Sequence, residues 1–246
     1  MMTKKLKVHK VSKRFQGLLA IDNLTFELET NEILGLIGPN GAGKTTLVNL
    51  ISGTMRPTHG TILFEDIPIQ NLSPYKRSRM GIARTFQIMN PFPALTVLDN
   101  VAVGALFGTI GGCTNMETAR NEALHWLEFV GISRHAKRLA NVLSGPECKR
   151  LELAKALAMR PKLLILDEVM AGLNHSEIEE LVQVIKKVRE RGISIIVIEH
   201  VMKAIKSLCE RLVVIQHGIK IAEGSTEDVL ASNEVISAYL GKRKRL

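Results

Sequence analysis

The chain has 246 residues, 46% of them hydrophobic and 23% charged, a balance that supports one large domain, or a domain with an insertion, and excludes a disordered chain. No apolar stretch approaches the ~20 residues of a spanning helix, and Met1–Lys10 is basic without the apolar run of a secretion signal, so a cytosolic chain is expected. The net charge of +9 permits a phosphate, membrane-surface or nucleic-acid partner, but Lys242, Arg243, Lys244 and Arg245 carry four of those charges, and 4% aromatic residues supply few stacking platforms for single-stranded nucleic acid.

Along the chain, Leu6 and Val8, then Leu24, Phe26 and Leu28, alternate with polar residues, the period of antiparallel strands with one solvated face. Ile33–Ile37 is instead continuously apolar, as in a strand covered on both faces, and runs into Gly38-Pro39-Asn40-Gly41. A helix over 45–52 follows, with Gly53 as its stop, and 61–64 reads as a further strand. Residues 72–150 hold no comparable β-branched run and read as a helical insertion. Within it, 119–130 forms a helix with Ala123, Leu124, Leu127 and Val130 on one face, while Gly104, Gly108, Gly111 and Gly112 mark a loose connection. From 163 the pattern is strand (163–166), helix with Ile178, Leu181, Val182, Ile185 and Val188 on one face, and strand (193–198), which predicts a parallel sheet. Residues 212–215 and 219–222 flank His217-Gly218 as a hairpin, and two short helices run to about Tyr239. Cys113, Cys148 and Cys209 lack paired spacing, so reduced thiols are expected, with neither a disulfide framework nor a zinc knuckle.

Gly38-Pro39-Asn40-Gly41-Ala42-Gly43-Lys44-Thr45 fits the phosphate-loop pattern, between a buried strand and a helix. Its glycines let successive backbone N–H groups curl around phosphate oxygens, Lys44 adds a point charge, and the Thr45 hydroxyl can ligate Mg²⁺. Thr46 extends the candidate nucleotide-binding set. An ordinary glycine turn would leave Lys44 unexplained at a helix start, where cations are disfavoured. Leu163–Leu166 ends in Asp167-Glu168: the first carboxylate is placed to hold Mg²⁺ and the second to take a proton from an attacking water. Alone, such a pair is more often a helix start; beside a phosphate loop the ranking reverses. His200, at the end of the strand over 195–198, is the one histidine of seven placed to reach a γ-phosphate. By themselves Gln87 reads as a solvated linker residue and Phe15 as a buried aromatic, with Mg²⁺ contact and adenine stacking as their functional options.

These residues in this order, with Leu143-Ser144-Gly145 ahead of the Asp167 strand, resemble the ATP-binding subunit of an ABC transporter from about Leu6 to Gly241. Arg84-Thr85-Phe86-Gln87, Thr96–Val101, Ala171-Gly172-Leu173-Asn174 and Ala238-Tyr239-Leu240-Gly241 are similar to the branched-chain amino-acid importer subgroup. The resemblance implies an α/β P-loop NTPase fold: a mostly parallel core sheet, an N-terminal antiparallel β subdomain and a helical subdomain inserted at about 88–160, all within a single ATP-binding domain over 1–246. It implies ATP and Mg²⁺, with catalytic roles for Glu168, His200 and Gln87. Phe15 would stack on adenine, and Gly38, Pro39, Asn40, Gly41, Ala42, Gly43, Lys44, Thr45 and Thr46 would bind nucleotide. Ser144 and Gly145 would meet ATP held by a second subunit, and Thr45, Gln87 and Asp167 would serve the metal.

The implied partners are integral membrane permease subunits, a second ATP-binding subunit, identical or paralogous, and indirectly a substrate-binding protein, with no nucleic acid. The implied location is the cytoplasmic face of the membrane. The chain departs from the family's usual Leu-Ser-Gly-Gly-Gln at Pro146 and Glu147: proline removes a donor, and the carboxylate puts negative charge near an approaching γ-phosphate. A weakly hydrolysing regulatory subunit and a soluble ABC-type ATPase acting on nucleic acid are the competing readings. Against the latter stand the single cassette and the lack of sustained heptads.

Overall fold

The structure, a computed structural model, describes residues 3–85, 91–109 and 112–240. Strands β1 (Lys4–Phe15), β2 (Leu18–Glu29) and β3 (Ile33–Ile37) are followed by helix α1 (Lys44–Ser52) and strands β4 (His59–Phe64) and β5 (Ile67–Pro68). Helix α2 (Pro74–Met80), strand β6 (Ile82–Arg84), helices α3 (Val97–Phe107), α4 (Met116–Phe129) and α5 (Gly145–Ala158) and strand β7 (Leu163–Asp167) come next. The chain continues through α6 (His175–Glu190), β8 (Ser194–Ile198), α7 (Met202–Leu208), β9 (Arg211–Gln216), β10 (Ile219–Ser225), α8 (Thr226–Ala231) and α9 (Asn233–Leu240). The contacts divide it into two units, Met1–Pro74 with Ser194–Leu246, and Tyr75–Ile193.

In the first unit, side-chain period decides sheet type. β1 and β2 pair antiparallel with Leu6 opposite Leu28 and Val8 opposite Phe26, and β4 pairs antiparallel on the other side of β1. Leu6, Val8, Phe26, Leu28, Ile62 and Phe64 are all buried, so the alternation becomes one apolar face. β3 is buried at every position and lies between β8 and β9, parallel to both. Gly35 is what its packing requires, because a Cβ there would stand 2.3 Å from Leu212 Cδ2. β9 and β10 form the expected antiparallel hairpin, with His217 at φ 48° and Gly218 at φ 81°. This pair of left-handed residues suits the strands' twist.

In the second unit β6 runs parallel to β7, with Arg84 opposite Ile165. β6 lies within 72–150, which reads as helical for want of a β-branched run: its three residues are too few to register as a periodic run, and only β7 beside them makes them a strand. α6 buries Ile178, Leu181, Val182, Ile185 and Val188 as its period predicts, and Asn174 and Glu177 box its start. In α4 the buried stripe is Ala119, Ala123, Trp126 and Leu127, while Leu124 is 40% exposed, a correction of about one position in the face.

Two of the glycines read as a loose connection, Gly104 and Gly108, are the reverse. Gly104 lies inside α3, where a Cβ would meet the Lys155 carbonyl oxygen at 2.4 Å, and at Gly108 it would meet Met159 Cα at 2.5 Å. They are close-approach positions that let α3 lie against α5; Gly111 lies outside the described residues. The three cysteines are free thiols, with Cys209 pushed up to about 12 by burial. Among the described residues no helix is long and apolar enough to cross a membrane.

Candidate nucleotide site

The phosphate loop leaves β3 through Gly38, whose added Cβ would lie 2.0 Å from the Ile215 carbonyl oxygen of β9. Gly41 (φ 78°) faces open space, and Gly43 (φ 107°) turns the chain into α1. The first intrahelical bond is Leu47 N–H to Gly43 O, so the amides of Lys44, Thr45 and Thr46 point out of the helix start, the donor array an anion takes. Lys44 is buried and donates from Nζ to the carbonyls of Gly38 (2.6 Å) and Pro39 (3.0 Å), folding its ammonium over the loop. Thr45 is exposed, and its hydroxyl bonds no described residue. A phosphate fits this loop: it offers better acceptors for Lys44 and for the helix amides than the loop's own carbonyls do. Pro39, Asn40 and Ala42 complete the turn, with Ala42 N–H donating to Pro39 O at 3.2 Å.

Remote parts of the first unit brace the loop. Gly218 N–H donates to Ala42 O (2.9 Å) and Asp22 N–H to Gly218 O (2.9 Å), while the Ala20 carbonyl would stand 2.7 Å from a Cβ on either Gly43 or Gly218. The Tyr239 phenol of α9 is raised by partial burial, against a hydrogen bond from the Gly38 backbone. No sequence pattern ties the 217–218 turn or Tyr239 to the loop; only the fold brings them there.

Phe15, at the end of β1, is 39% exposed and carries Lys13 Nζ 5.0 Å from its ring centroid, so it is a surface aromatic and not the buried one that position suggests alone. His200 is exposed just beyond the tip of β8, its N–H 3.3 Å from the neighbouring Glu199 carboxylate. Gln87 and the basic tail, 242–245, lie outside the described residues.

In the second unit Asp167 ends β7 and is 3% exposed. Arg84 donates from Nη2 to its Oδ2 at 2.7 Å, an ion pair with side chains 9% and 3% exposed. Thr85 accepts the Asp167 N–H at its hydroxyl (3.2 Å) and donates its own N–H to Ile165 O (2.9 Å). Both residues sit in the string read for Gln87 alone; their signal was a charge and a hydroxyl beside an apolar triplet, which has meaning only once β6 and β7 pair. Glu168 follows at φ 53°, a left-handed conformation uncommon for a non-glycine. Asp167 Oδ1 takes no bond from a described residue, which leaves one carboxylate oxygen suited to a hard cation.

Ser144 is the N-cap of α5 and Pro146 lies in its first turn, where a missing N–H costs no intrahelical bond. Glu147 does not project its charge outward. Its Oε2 accepts the Ser144 N–H (3.0 Å) and hydroxyl (2.9 Å), and its Oε1 stands 3.2 Å from Arg134 Nη2 and 2.7 Å from His135 Nε2. The Ser144 backbone bond leads the effects that hold this carboxyl down at about 2. Gly145 is exposed with nothing near it.

A glycine-lined anion cradle on a strand–helix junction, with a carboxylate pair ending another strand, defines a P-loop nucleotide-binding protein. Residues 21–171 match the family described as ABC transporter. The chain is 39% identical over 249 aligned residues to the high-affinity branched-chain amino acid transport ATP-binding protein LivG of Escherichia coli K12, covering 96% of this chain and 98% of that protein. It is 36% identical to the probable LivG of Archaeoglobus fulgidus, covering 96% and 95%. Among solved structures, the ADP conformation of MJ1267, an ATP-binding cassette of an ABC transporter, superposes with a TM-score of 0.86 at 29% identity over 97% of this chain and 99% of that one. The dimeric cassette MJ0796 does so with 0.82 at 27%, over 90% and 98%. The chain belongs to the ABC transporter family, as an ATP-binding, ATP-hydrolysing cassette with the α/β P-loop fold.

Proposed function

We propose that this chain powers an importer for branched-chain or other amino acids, binding and hydrolysing ATP on the cytoplasmic face of the membrane. The observation that carries the reading is its end-to-end similarity to LivG proteins, 39% identical over 96% of this chain. The working unit is a pair of ATP-binding subunits, identical or paralogous, on two integral membrane subunits, with a substrate-binding protein supplying the amino acid. The chain forms a single ATP-binding domain over 1–246, with the helical subdomain at about 88–160 inserted between Gln87 and β7.

In this reading Phe15 stacks on adenine, and the 38–46 loop and helix start bind the phosphates, with Lys44 as the compact charge. Thr45, Asp167 and Gln87 hold Mg²⁺, which supplies charge neutralisation at the β- and γ-phosphates. Glu168 takes the proton of the attacking water, and His200 orients the γ-phosphate against it. Ser144 and Gly145 close on the nucleotide of the second subunit. The backbone supports this division of labour: donors are fixed on a helix start before substrate arrives, and the base follows directly on the end of β7.

The test is to isolate the chain from membranes with what accompanies it, reconstitute the complex in liposomes and measure ATP hydrolysis. Hydrolysis stimulated by a branched-chain amino acid with its binding protein supports the reading; a complex without permease subunits, or one stimulated by an unrelated solute, overturns it.

A further inference from the structure

Asp167 presents a problem of charge. It is a carboxylate 3% exposed at the end of an apolar strand, and such a group is held in place by a counter-charge or not at all. Arg84 is that counter-charge, 2.7 Å away on Oδ2, and it is itself nearly sealed from water. The neighbouring Thr85 grips the backbone of the same residue, so the end of β6 holds both the main chain and the carboxylate of Asp167.

We propose that Arg84 is a standing counter-ion for the metal site: it neutralises Asp167 while no metal is bound and gives up that carboxylate as Mg²⁺ arrives, so that metal occupancy is felt at Arg84 and Thr85. The proposal rests on the reading of Asp167 as a metal residue. A carboxylate has charge for one close cation, and a second within a few ångströms is repelled by the first in a poorly solvated place. Mg²⁺ would take Oδ1, which receives no bond from a described residue, so the two cations would sit on neighbouring oxygens of one carboxylate. Arg84 therefore competes with the metal, and each weakens the other's hold. The exchange trades the Arg84–Asp167 hydrogen bond for a metal–carboxylate bond, with no covalent bond made or broken. Arg84 is thus a positioning residue: it acts on the reaction through Asp167, and what it moves is the end of β6 with Thr85.

The test uses the full chain with ADP, reading Mn²⁺ affinity by electron paramagnetic resonance and backbone hydrogen exchange at Thr85 and Asp167. Arg84→Met removes the competing charge at similar length, and Mn²⁺ should bind the ADP complex about tenfold more tightly while the metal-free protein melts at a lower temperature. Arg84→Lys keeps the charge but loses the planar fork and should fall between. In the parent, adding Mn²⁺ to the ADP complex should speed exchange at Thr85, a readout that holds even if Arg84→Met does not fold. Mn²⁺ affinity unchanged or weaker in Arg84→Met or Arg84→Lys, or no change in exchange at Thr85, overturns the proposal. Asp167→Asn separates the two layers: if it leaves Mn²⁺ affinity intact, the reading of Asp167 fails, whereas lost affinity there with an unresponsive Arg84 leaves that reading standing and sinks the counter-ion alone.

Discussion

Glu147 Oε2 accepts two bonds from Ser144, the backbone N–H at 3.0 Å and the hydroxyl at 2.9 Å. Both donors are ones the signature serine would need for a phosphate bound by a second subunit. The carboxylate therefore acts as an internal anion at the start of α5, where the helix dipole already favours it. Replacing Pro146 with Gly and Glu147 with Gln should remove the carboxylate's charge, weaken its hold on the serine hydroxyl and raise ATP-driven dimerisation and ATP hydrolysis. Equal or lower dimerisation, measured by analytical ultracentrifugation, would count against this.

The same contact has a pH signature. Glu147 is held at about 2 against an ordinary 4.5, so its stabilising contribution is complete above pH 4.5 and is lost as pH falls toward 2. Glu147→Gln should flatten that part of the acid denaturation profile and leave the neutral pH region little changed. An acid limb with the parent's slope would show that the carboxylate contributes nothing to folding.

Lys44→Ala removes the ammonium now bonded to Gly38 and Pro39 carbonyls and proposed for the phosphates. The lost charge-assisted contacts are worth ~1.5–3 kcal/mol, more than tenfold in ATP affinity by calorimetry. Unchanged affinity would sink the phosphate-loop assignment.

Glu168→Gln preserves shape and removes the proton acceptor. ATP binding should persist while turnover falls by ~10²-fold or more. Turnover within a few-fold of the parent would move the general base to another residue, with His200 the first to examine.

Gly104→Ala tests helix packing directly. Its methyl would stand 2.4 Å from the Lys155 carbonyl, so α3 must retreat from α5, at ~1–3 kcal/mol of stability. Thermal unfolding checks this, and an unchanged melting temperature would restore the view of Gly104 as a flexible joint.

What the sequence determined is what local physics encodes. Alternation set β1 and β2, the continuous run set β3, period 3.6 set α6, and the left-handed pair His217-Gly218 set the hairpin. Gly38–Thr45 and Asp167-Glu168 were legible because their chemistry is held in contiguous residues. Tertiary structure decided what depends on two distant segments meeting. Gly104 and Gly108 read as looseness because a missing Cβ is permissive in isolation; a neighbouring backbone turns it into a packing requirement. Arg84 and Thr85 acquired a role only when three residues of β6 paired with β7, and the Gly218 turn became a brace only when the β9–β10 hairpin reached Ala42. Glu147 read as negative charge near an approaching γ-phosphate; that it is tied to Ser144 itself was not legible, because sequence carries the sign of a side chain and not its direction. Its direction is set by the Ser144 donors on Oε2 and by Arg134 and His135 beside Oε1.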